Sequence, residues 1–370
     1  MNGISTSRPS IVRGNVTNPT ETTAASPVHR FSFSKGALRL LDLGHLSAVD
    51  LHRAYLGLAE AQGESDPPLL ILASAEDHLS VGAAQGVGAE LDREACVAAG
   101  IPVVQRPLGG GTVWVDRHHL NYFLILPRQT GIRRPAEAMA RFAPILCAWH
   151  RSFGLDVRLV GDQDFWLDRQ KLGGTGAASI GCSLVLGGSL LLDGDWGGFV
   201  RCIAAPSADY RVALRRILEE SLGSWARHLP RLPAREALGA ALREALAAAG
   251  WDPQVEDAPR AREVQAMAQA ELEAADWQQP GRRRVAHGIK IKNGSFLTER
   301  HWPDGSFLRV WTEAGRYRRV WCSAWSQDGA WAMAGLERQA ALQFLEHSLD
   351  REDARLWQAR LEATAVWAED

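Results

Sequence analysis

Long apolar runs are missing from this 370-residue chain. None approaches the roughly 18–20 residues that a membrane span requires, so no membrane association is expected. Cysteine is scarce: Cys96, Cys147, Cys182, Cys202 and Cys322 are widely spaced and odd in number. No CxxC pair or Cys/His cluster has metal-ligand spacing, which argues against a disulfide framework and a structural zinc site. A reducing cytoplasm fits this usage. An excess of positive charge is also lacking. The 41 Lys+Arg against 43 Asp+Glu give a net charge of -2, so no global basic field draws the chain to nucleic acid or to a membrane surface. No helix-turn-helix is evident, and no internal repeat. Residues 1–30, rich in Ser, Thr, Asn and Pro, lack the apolar stretch of a signal peptide and read as a disordered tail.

What is present is ordinary for a folded protein with a core: 46% apolar and 23% charged residues. The length favours two domains. Ordered sequence is expected from near Phe31. The segment LSAVDLHRAYLGLAEAQG reads as a helix with Ser47 and Asp50 as a capping box. LLILASA (69–75), LSVGA, PVVQRP, TVWV and NYFLILP (121–127) read as strands, and DREACVAAG as a helix. A longer helix starts at Pro135 and stops at Gly154. DVRLV and a strand over 183–193, interrupted by Gly187-Gly188, follow. Two helices fill 207–250, and WDPQVEDAPRA (251–261) reads as a linker. Beyond it come a helix to about Ala275, short strands with turns at Asn293-Gly294 and Pro303-Asp304-Gly305, and two closing helices. Strands in hairpin-like succession between helices indicate an α+β fold: a mixed, largely antiparallel sheet packed with helices over 31–250, and a smaller C-terminal α+β accessory region over 262–370.

The segment Gln105-Arg106-Pro107-Leu108-Gly109-Gly110-Gly111-Thr112-Val113-Trp114-Val115-Asp116 carries the most chemistry. Glycines between two strands let backbone approach a ligand, with N–H groups available to an anion. Arg106 offers a permanent charge and a planar fork suited to phosphate. No Lys-Ser/Thr follows the glycines, so this is not a Walker A loop. In isolation, a glycine-rich hairpin with an exposed arginine is an equally good reading.

The surrounding stretch, AEDHLSVGAAQGVGAELDREACVAAGIPVVQRPLGGGTVWVDRHHLNYFLIL, resembles the central block of lipoate–protein ligases, members of the biotin/lipoate protein ligase superfamily. The matching positions are Gly82, Gln85, Glu90, Asp92, Cys96, Gly100, Ile101, Val103, Arg106, Gly109 to Gly111, Trp114, Asp116 and Asn121. The resemblance implies that this loop wraps an acyl chain and the phosphate of an acyl-adenylate, with Thr112 alongside. A second block, Asp164-Phe165-Trp166-Leu167-Asp168-Arg169-Gln170-Lys171-Leu172-Gly173-Gly174-Thr175-Gly176, stands where the superfamily carries its lysine. That implies Lys171 as the principal catalytic residue, an electrostatic stabiliser rather than an acylated nucleophile. Gly174, Thr175, Gly187 and Gly188 would line the same site, and Asp164 would stand near the nucleotide and its Mg²⁺.

The implied reaction has two steps. Lipoate or a related acyl acid attacks the α-phosphate of ATP, releasing pyrophosphate, and a lysine amine of an acceptor lipoyl domain then displaces AMP. Departures from the family pattern fall at Leu108 and Gly173, where serine is usual, and at Gly187-Gly188, where a His-Gly pair is usual. Two alternatives stay open. Acyl transfer from a carrier protein would need a cysteine nucleophile; Asp156 and Cys202 stand at the distances two such families use, and Cys202 reads as an ordinary buried thiol. The other is a non-catalytic lipoate- or biotin-binding paralogue. His118-His119 reads as a loop pair rather than a metal site. Arg282-Arg283-Arg284, Arg316, Arg318 and Arg319 would help dock an acidic acceptor domain.

Overall fold

The computed structural model describes residues 36–278, 285–323 and 333–367. The tail over 1–30 and the Arg282-Arg283-Arg284 run lie outside the described residues. In chain order the strands are β1 (Ala37–Leu46), β2 (Leu69–Ala75), β3 (His78–Gly82), β4 (Val103–Arg106), β5 (Val113–Val115), β6 (His119–Pro127), β7 (Arg158–Val160), β8 (Asp164–Leu167), β9 (Gln170–Ile180), β10 (Ser183–Leu191), β11 (Asp252–Glu256), β12 (Gly288–Lys292), β13 (Ser295–His301), β14 (Phe307–Glu313) and β15 (Arg316–Cys322). The helices are α1 (Ala48–Ala61), α2 (Val87–Glu90), α3 (Arg93–Ala99), α4 (Pro135–Arg151), α5 (Gly197–Cys202), α6 (Ala208–Ser221), α7 (Arg235–Ala248), α8 (Ala261–Gln269), α9 (Arg338–Ser348) and α10 (Arg351–Thr364).

Eight strands form the main sheet in the order β11-β1-β2-β6-β10-β9-β8-β7. β1 runs parallel to β11 and β2, and the remaining neighbours are antiparallel. Side chains on successive residues alternate between faces. One face presents Tyr122, Leu124 and Leu186 to Met139 and Phe142 of α4 and Leu242 of α7. The other presents Phe123 to Tyr55 of α1, stacked at 4.4 Å. α1 forms because Leu51, Tyr55 and Leu58 recur on one face and the Ser47 hydroxyl accepts the Asp50 N–H. The Asp50 carboxylate returns to the Ser47 hydroxyl at 2.7 Å rather than to its backbone N–H, so half of the expected capping box is made. A three-stranded sheet, β4-β3-β5, stands beside this layer.

The fold is α+β as read from the sequence, and the C-terminal region is a separate antiparallel sheet, β12-β13-β14-β15. Its Leu308, Val310 and Tyr317 pack with Trp357 and Leu361 of α10. Its Ile289, Ile291, Leu297 and Trp311 pack with α6 instead. Arg316, Arg318 and Arg319 each face a carboxylate of this chain: Glu337, Glu313 and Glu220 respectively.

Three local readings are corrected. Segment 251–261 is not a linker: its Asp252–Glu256 is an edge strand of the main sheet, parallel to β1. An edge position tolerates Pro253, whose missing N–H would break a central strand. Strand β10 runs through Gly187-Gly188 without interruption, paired on both sides. Helix α8 ends at Gln269, short of Ala275.

The β11–α8 segment is fastened by Arg39 of β1. Its guanidinium, 2% exposed, donates to Glu256 (2.7 Å) and to Glu263 of α8 (2.6 and 2.9 Å). Burial alone would raise the Glu263 carboxyl; the Arg39 fork, with the Arg260 N–H and charge, outweighs it and holds that group below the ordinary carboxylate range. A depressed folded value means the pair stabilises fully above the unfolded value of about 4.3, and is lost as pH falls through the folded one. Arg39→Met is expected to cost about 3–5 kcal/mol at pH 7.5. In that variant only Arg260 is left to oppose burial, so the Glu263 carboxyl rises, its folded form takes up a proton more readily and the deficit shrinks toward pH 5. Urea unfolding at the two pH values checks this; a deficit that does not change with pH contradicts it.

Candidate active site

A cavity of about 250 Å³ lies against the α1 face of the main sheet. Two rows of opposed residues make its floor: Asn121, Ser189 and Gly174, then Phe123, Gly187 and Gly176. The glycine loop between β4 and β5 forms one wall, and β12 of the C-terminal sheet contributes another. Both sequence blocks reach it: Arg106, Gly109, Gly110, Gly111 and Thr112 from the first, and Asp164, Lys171 and Gly174 from the second, all line this one cavity.

Arg106 ends β4 and is buried. Its guanidinium donates to the carbonyls of Ser80 (2.6 Å), Gly109 (3.0 Å) and Gly111 (2.7 Å), and to the Ser80 hydroxyl (3.3 Å). The arginine therefore folds its own loop, where the sequence suggested a cation aimed at ligand. Gly110 takes φ +103°, a conformation L side chains rarely adopt, and the Gly109 N–H is anchored to the Ala177 carbonyl of β9 at 3.1 Å. The Thr112 hydroxyl at the loop's end is buried and has no hydrogen-bond partner among the described residues. A buried hydroxyl left unpaired is costly, and such an atom on a cavity wall suits a ligand's polar atom.

Lys171 owes its position to a bulge. Lys171 and Gly174 are three residues apart and would face opposite sides of a regular strand. Between β8 and β9 the register shifts: Asp164 opposes Gly174 and Phe165 opposes Gly173, but Trp166 opposes Lys171. The extra residue, Leu172, turns Lys171 to the face that carries Asp164 and Gly174. The Lys171 ammonium then lies 2.9 Å from Asp164 Oδ1, with the lysine side chain 24% exposed. A side chain on Gly174 would start 2.8 Å from that ammonium. Asp164 Oδ2 accepts the backbone N–H of Asn293 at 2.8 Å, from the β12–β13 turn. The Lys171 carbonyl accepts the Gly223 N–H at 3.0 Å.

Other expected site residues behave differently. Thr175 and Gly188 offer only backbone to the cavity. The Thr175 hydroxyl turns to the opposite face, toward the Gln163 carbonyl (3.3 Å) and Met139 Sδ (3.7 Å), and Gly188 faces Tyr122. Asp116 does not line the cavity. Its carboxylate takes the His118 N–H (2.8 Å), the His119 ring (2.8 Å) and the Trp114 indole N–H (3.1 Å). Burial would raise the Asp116 carboxyl, but the His119 ring and these donors hold it low. It orients His119, which does line the cavity. Asn121 is on the floor, its amide donating to the Ala73 and His119 carbonyls, each at 3.3 Å.

No cysteine stands among the described residues lining the cavity. Cys202 is fully buried at the end of α5, and burial raises its thiol, the opposite of what a nucleophile needs. Among the described residues no cluster of three or more His, Cys, Asp or Glu could hold a metal. Asp164, with both oxygens already accepting, does not form a protein-held Mg²⁺ site by itself.

Sequence reasoning missed His52 and Ser80 at the inner end, Ser189 on the floor, and Lys290 and Lys292 on β12. The Lys292 ammonium meets Glu313 (2.7 Å) and the Arg169 carbonyl (2.6 Å), 4.4 Å from the Trp166 ring centre. His52, Lys290 and Lys292 come from segments without a motif, and Ser80 lies in the first block at a position outside its matched residues. The period-2 pattern of KIKNGSF hinted at a hairpin but not at which wall it would form.

The lipoyl protein ligase A/B catalytic domain matches residues 51–247. An Aeropyrum pernix protein provisionally named lipoate-protein ligase A is 31% identical over 119 residues, 32% of this chain and 44% of its own. Lipoate–protein ligase 2 of Staphylococcus aureus is 28% identical over 128 residues, 35% of this chain and 37% of its own. The chain thus spans less than half the length of these curated relatives. A bi-partite lipoate protein ligase from Thermoplasma acidophilum, described with its E2 lipoyl domain, superposes with TM-score 0.55 at 17% identity, over 64% of this chain and 92% of that one. P. falciparum LipL1 in complex with lipoate gives 0.51 at 12% identity, over 87% and 98%. At these identities the structures speak for the fold. The matched segment runs from α1 into α7, takes in the glycine loop and Lys171, and exceeds half of the sequence, so the chain belongs to the lipoyl protein ligase A/B catalytic domain family.

Proposed function

We infer that this protein joins lipoate, or a related acyl acid, to a lysine of an acceptor lipoyl domain through an acyl-adenylate made from ATP. The observation that carries this reading is the convergence of the Lys171 ammonium and the unpaired Thr112 hydroxyl of the glycine loop on one cavity. Support also comes from the names of the relatives, lipoate ligases, one of them described with a lipoyl domain.

In the first step a carboxylate oxygen of the acid attacks the α-phosphorus of ATP, the bond to the bridging oxygen breaks, and pyrophosphate leaves. Two anions must meet, and Lys171 offsets their repulsion where charge accumulates. Asp164 holds the ammonium over the Gly174 backbone, and Asn293 holds Asp164. In the second step an unprotonated lysine amine of the acceptor attacks the acyl carbon, AMP leaves, and the nitrogen sheds its proton. Any Mg²⁺ would rest chiefly on the nucleotide's own phosphates, with Asp164 beside it; no step here is routed through it. Catalysis is assigned to residues 31–250 and an accessory role to 262–370. Five cysteines outside any disulfide suit a cytoplasmic setting.

Lys171→Ala should lower acceptor modification by about 10²–10³-fold, read by mass spectrometry of a lipoyl domain incubated with ATP, Mg²⁺ and lipoate. Full activity in that variant would rule the mechanism out. Arg106→Gln should destabilise even the ligand-free protein, by about 1–3 kcal/mol for each carbonyl left unpaired. An unchanged thermal midpoint with weakened ligand binding would instead mean that Arg106 serves the ligand directly.

A further inference from the structure

The inner end of the cavity is formed by Leu51 and His52 of α1, Ser80 of β3, Leu108, and Phe123 of β6. Its polar atoms already have partners. His52 Nε2 lies 3.2 Å from His78 Nε2, and its Nδ1 lies 3.2 Å from the Tyr55 hydroxyl. Ser80 accepts from Arg106 through both its carbonyl and its hydroxyl. Apart from the Ser80 O–H, these polar groups are already engaged, whereas Leu51, Leu108 and Phe123 offer aliphatic and aromatic contact.

Leu108 is 3% exposed and occupies space that another residue would otherwise claim. A Cβ built on Gly187 would stand 2.5 Å from Leu108 Cδ1 and 2.9 Å from Phe123 Cδ1. Residues 108 and 187 therefore share one volume: the leucine fits because position 187 carries no side chain. That volume lies at the second row of the floor, beyond Gly174 and Lys171.

We propose that Leu108, seated over Gly187, is the wall that fixes how long an apolar tail the cavity accepts. This rests on the reading of the cavity as an acyl-acid site.

The test is calorimetric titration of the full chain with hexanoate, octanoate, decanoate and dodecanoate, without ATP. Affinity should rise roughly fourfold per added methylene until the tail meets the wall, and then fall. Leu108→Ala should move the optimum to a longer acid and improve the first acid that the wild type rejects by about tenfold. Gly187→Ala drives Leu108 toward the cavity and should move the optimum to a shorter acid. The double variant should return close to the wild-type optimum. Thermal melts of each variant establish that it is folded; should Leu108→Ala not fold, Leu108→Val is expected to give a smaller shift in the same direction. An optimum that is the same in every variant, or no binding of any acid by any variant, overturns the proposal. A wild type that ranks the acids by length yet releases no pyrophosphate with ATP would leave the wall standing and defeat the ligase reading.

Discussion

A buried guanidinium has to find acceptors, and Arg106 finds them in the backbone of its own loop. By drawing the carbonyls of Ser80, Gly109 and Gly111 around one planar fork, it fixes the path of a segment whose glycines would otherwise be free to wander. The rest of the site follows from that path. Leu108 is set down on the main sheet over Gly187, Gly109 is tied to β9, and the Thr112 hydroxyl is left on the cavity wall without a partner. Lysine could not substitute, because a point charge cannot span acceptors on three residues in fixed directions.

The second half of the site depends on the C-terminal sheet more than its distance in sequence suggests. Asp164 holds Lys171, and it is held in turn by the N–H of Asn293 from the β12–β13 turn. An ion pair at intermediate exposure contributes little to stability. Its value here is geometric, since it keeps a long flexible ammonium over the bare backbone of Gly174. The C-terminal sheet thereby contributes to the position of Lys171 as well as to a wall of the cavity.

Much of this was legible in the residues. The glycine loop and Lys171 line one cavity, and most of the helices and strands around them were placed correctly, because periodicity, caps and turn residues are local signals. What failed was non-local. Asp252–Glu256 carries Pro and acidic residues and reads as a linker, yet it pairs with β1, more than two hundred residues away. Thr175 was expected to face ligand, and the strand's alternation turns it to α4 instead. The odd spacing of Lys171 and Gly174 contained a clue, for both can share a face only if a bulge intervenes, and one does. The departures at Leu108 and Gly187 read separately as two lost hydrogen-bonding groups. In space they are one event, a leucine filling the room a missing side chain leaves.

The inner histidines complete the electrostatic picture. His78 Nδ1 lies 2.7 Å from the Glu76 carbonyl and must donate to it, which leaves His78 Nε2 to accept from His52 Nε2–H and His52 Nδ1 to accept from the Tyr55 hydroxyl. This order of protons works with both rings neutral. Burial enforces that state, pushing His52 well below the ordinary histidine value and His78 down to about 4. Near neutral pH the two histidines therefore add no cation beside Arg106. At the outer end, Lys171 and Asp164 largely cancel until a new anion arrives. An entering carboxylate or phosphate that draws Lys171 away from Asp164 would free the charge of that ammonium. Stabilisation of that kind would grow with the negative charge on the ligand, and in the proposed adenylation it would favour the charge-rich transition state over the bound acid.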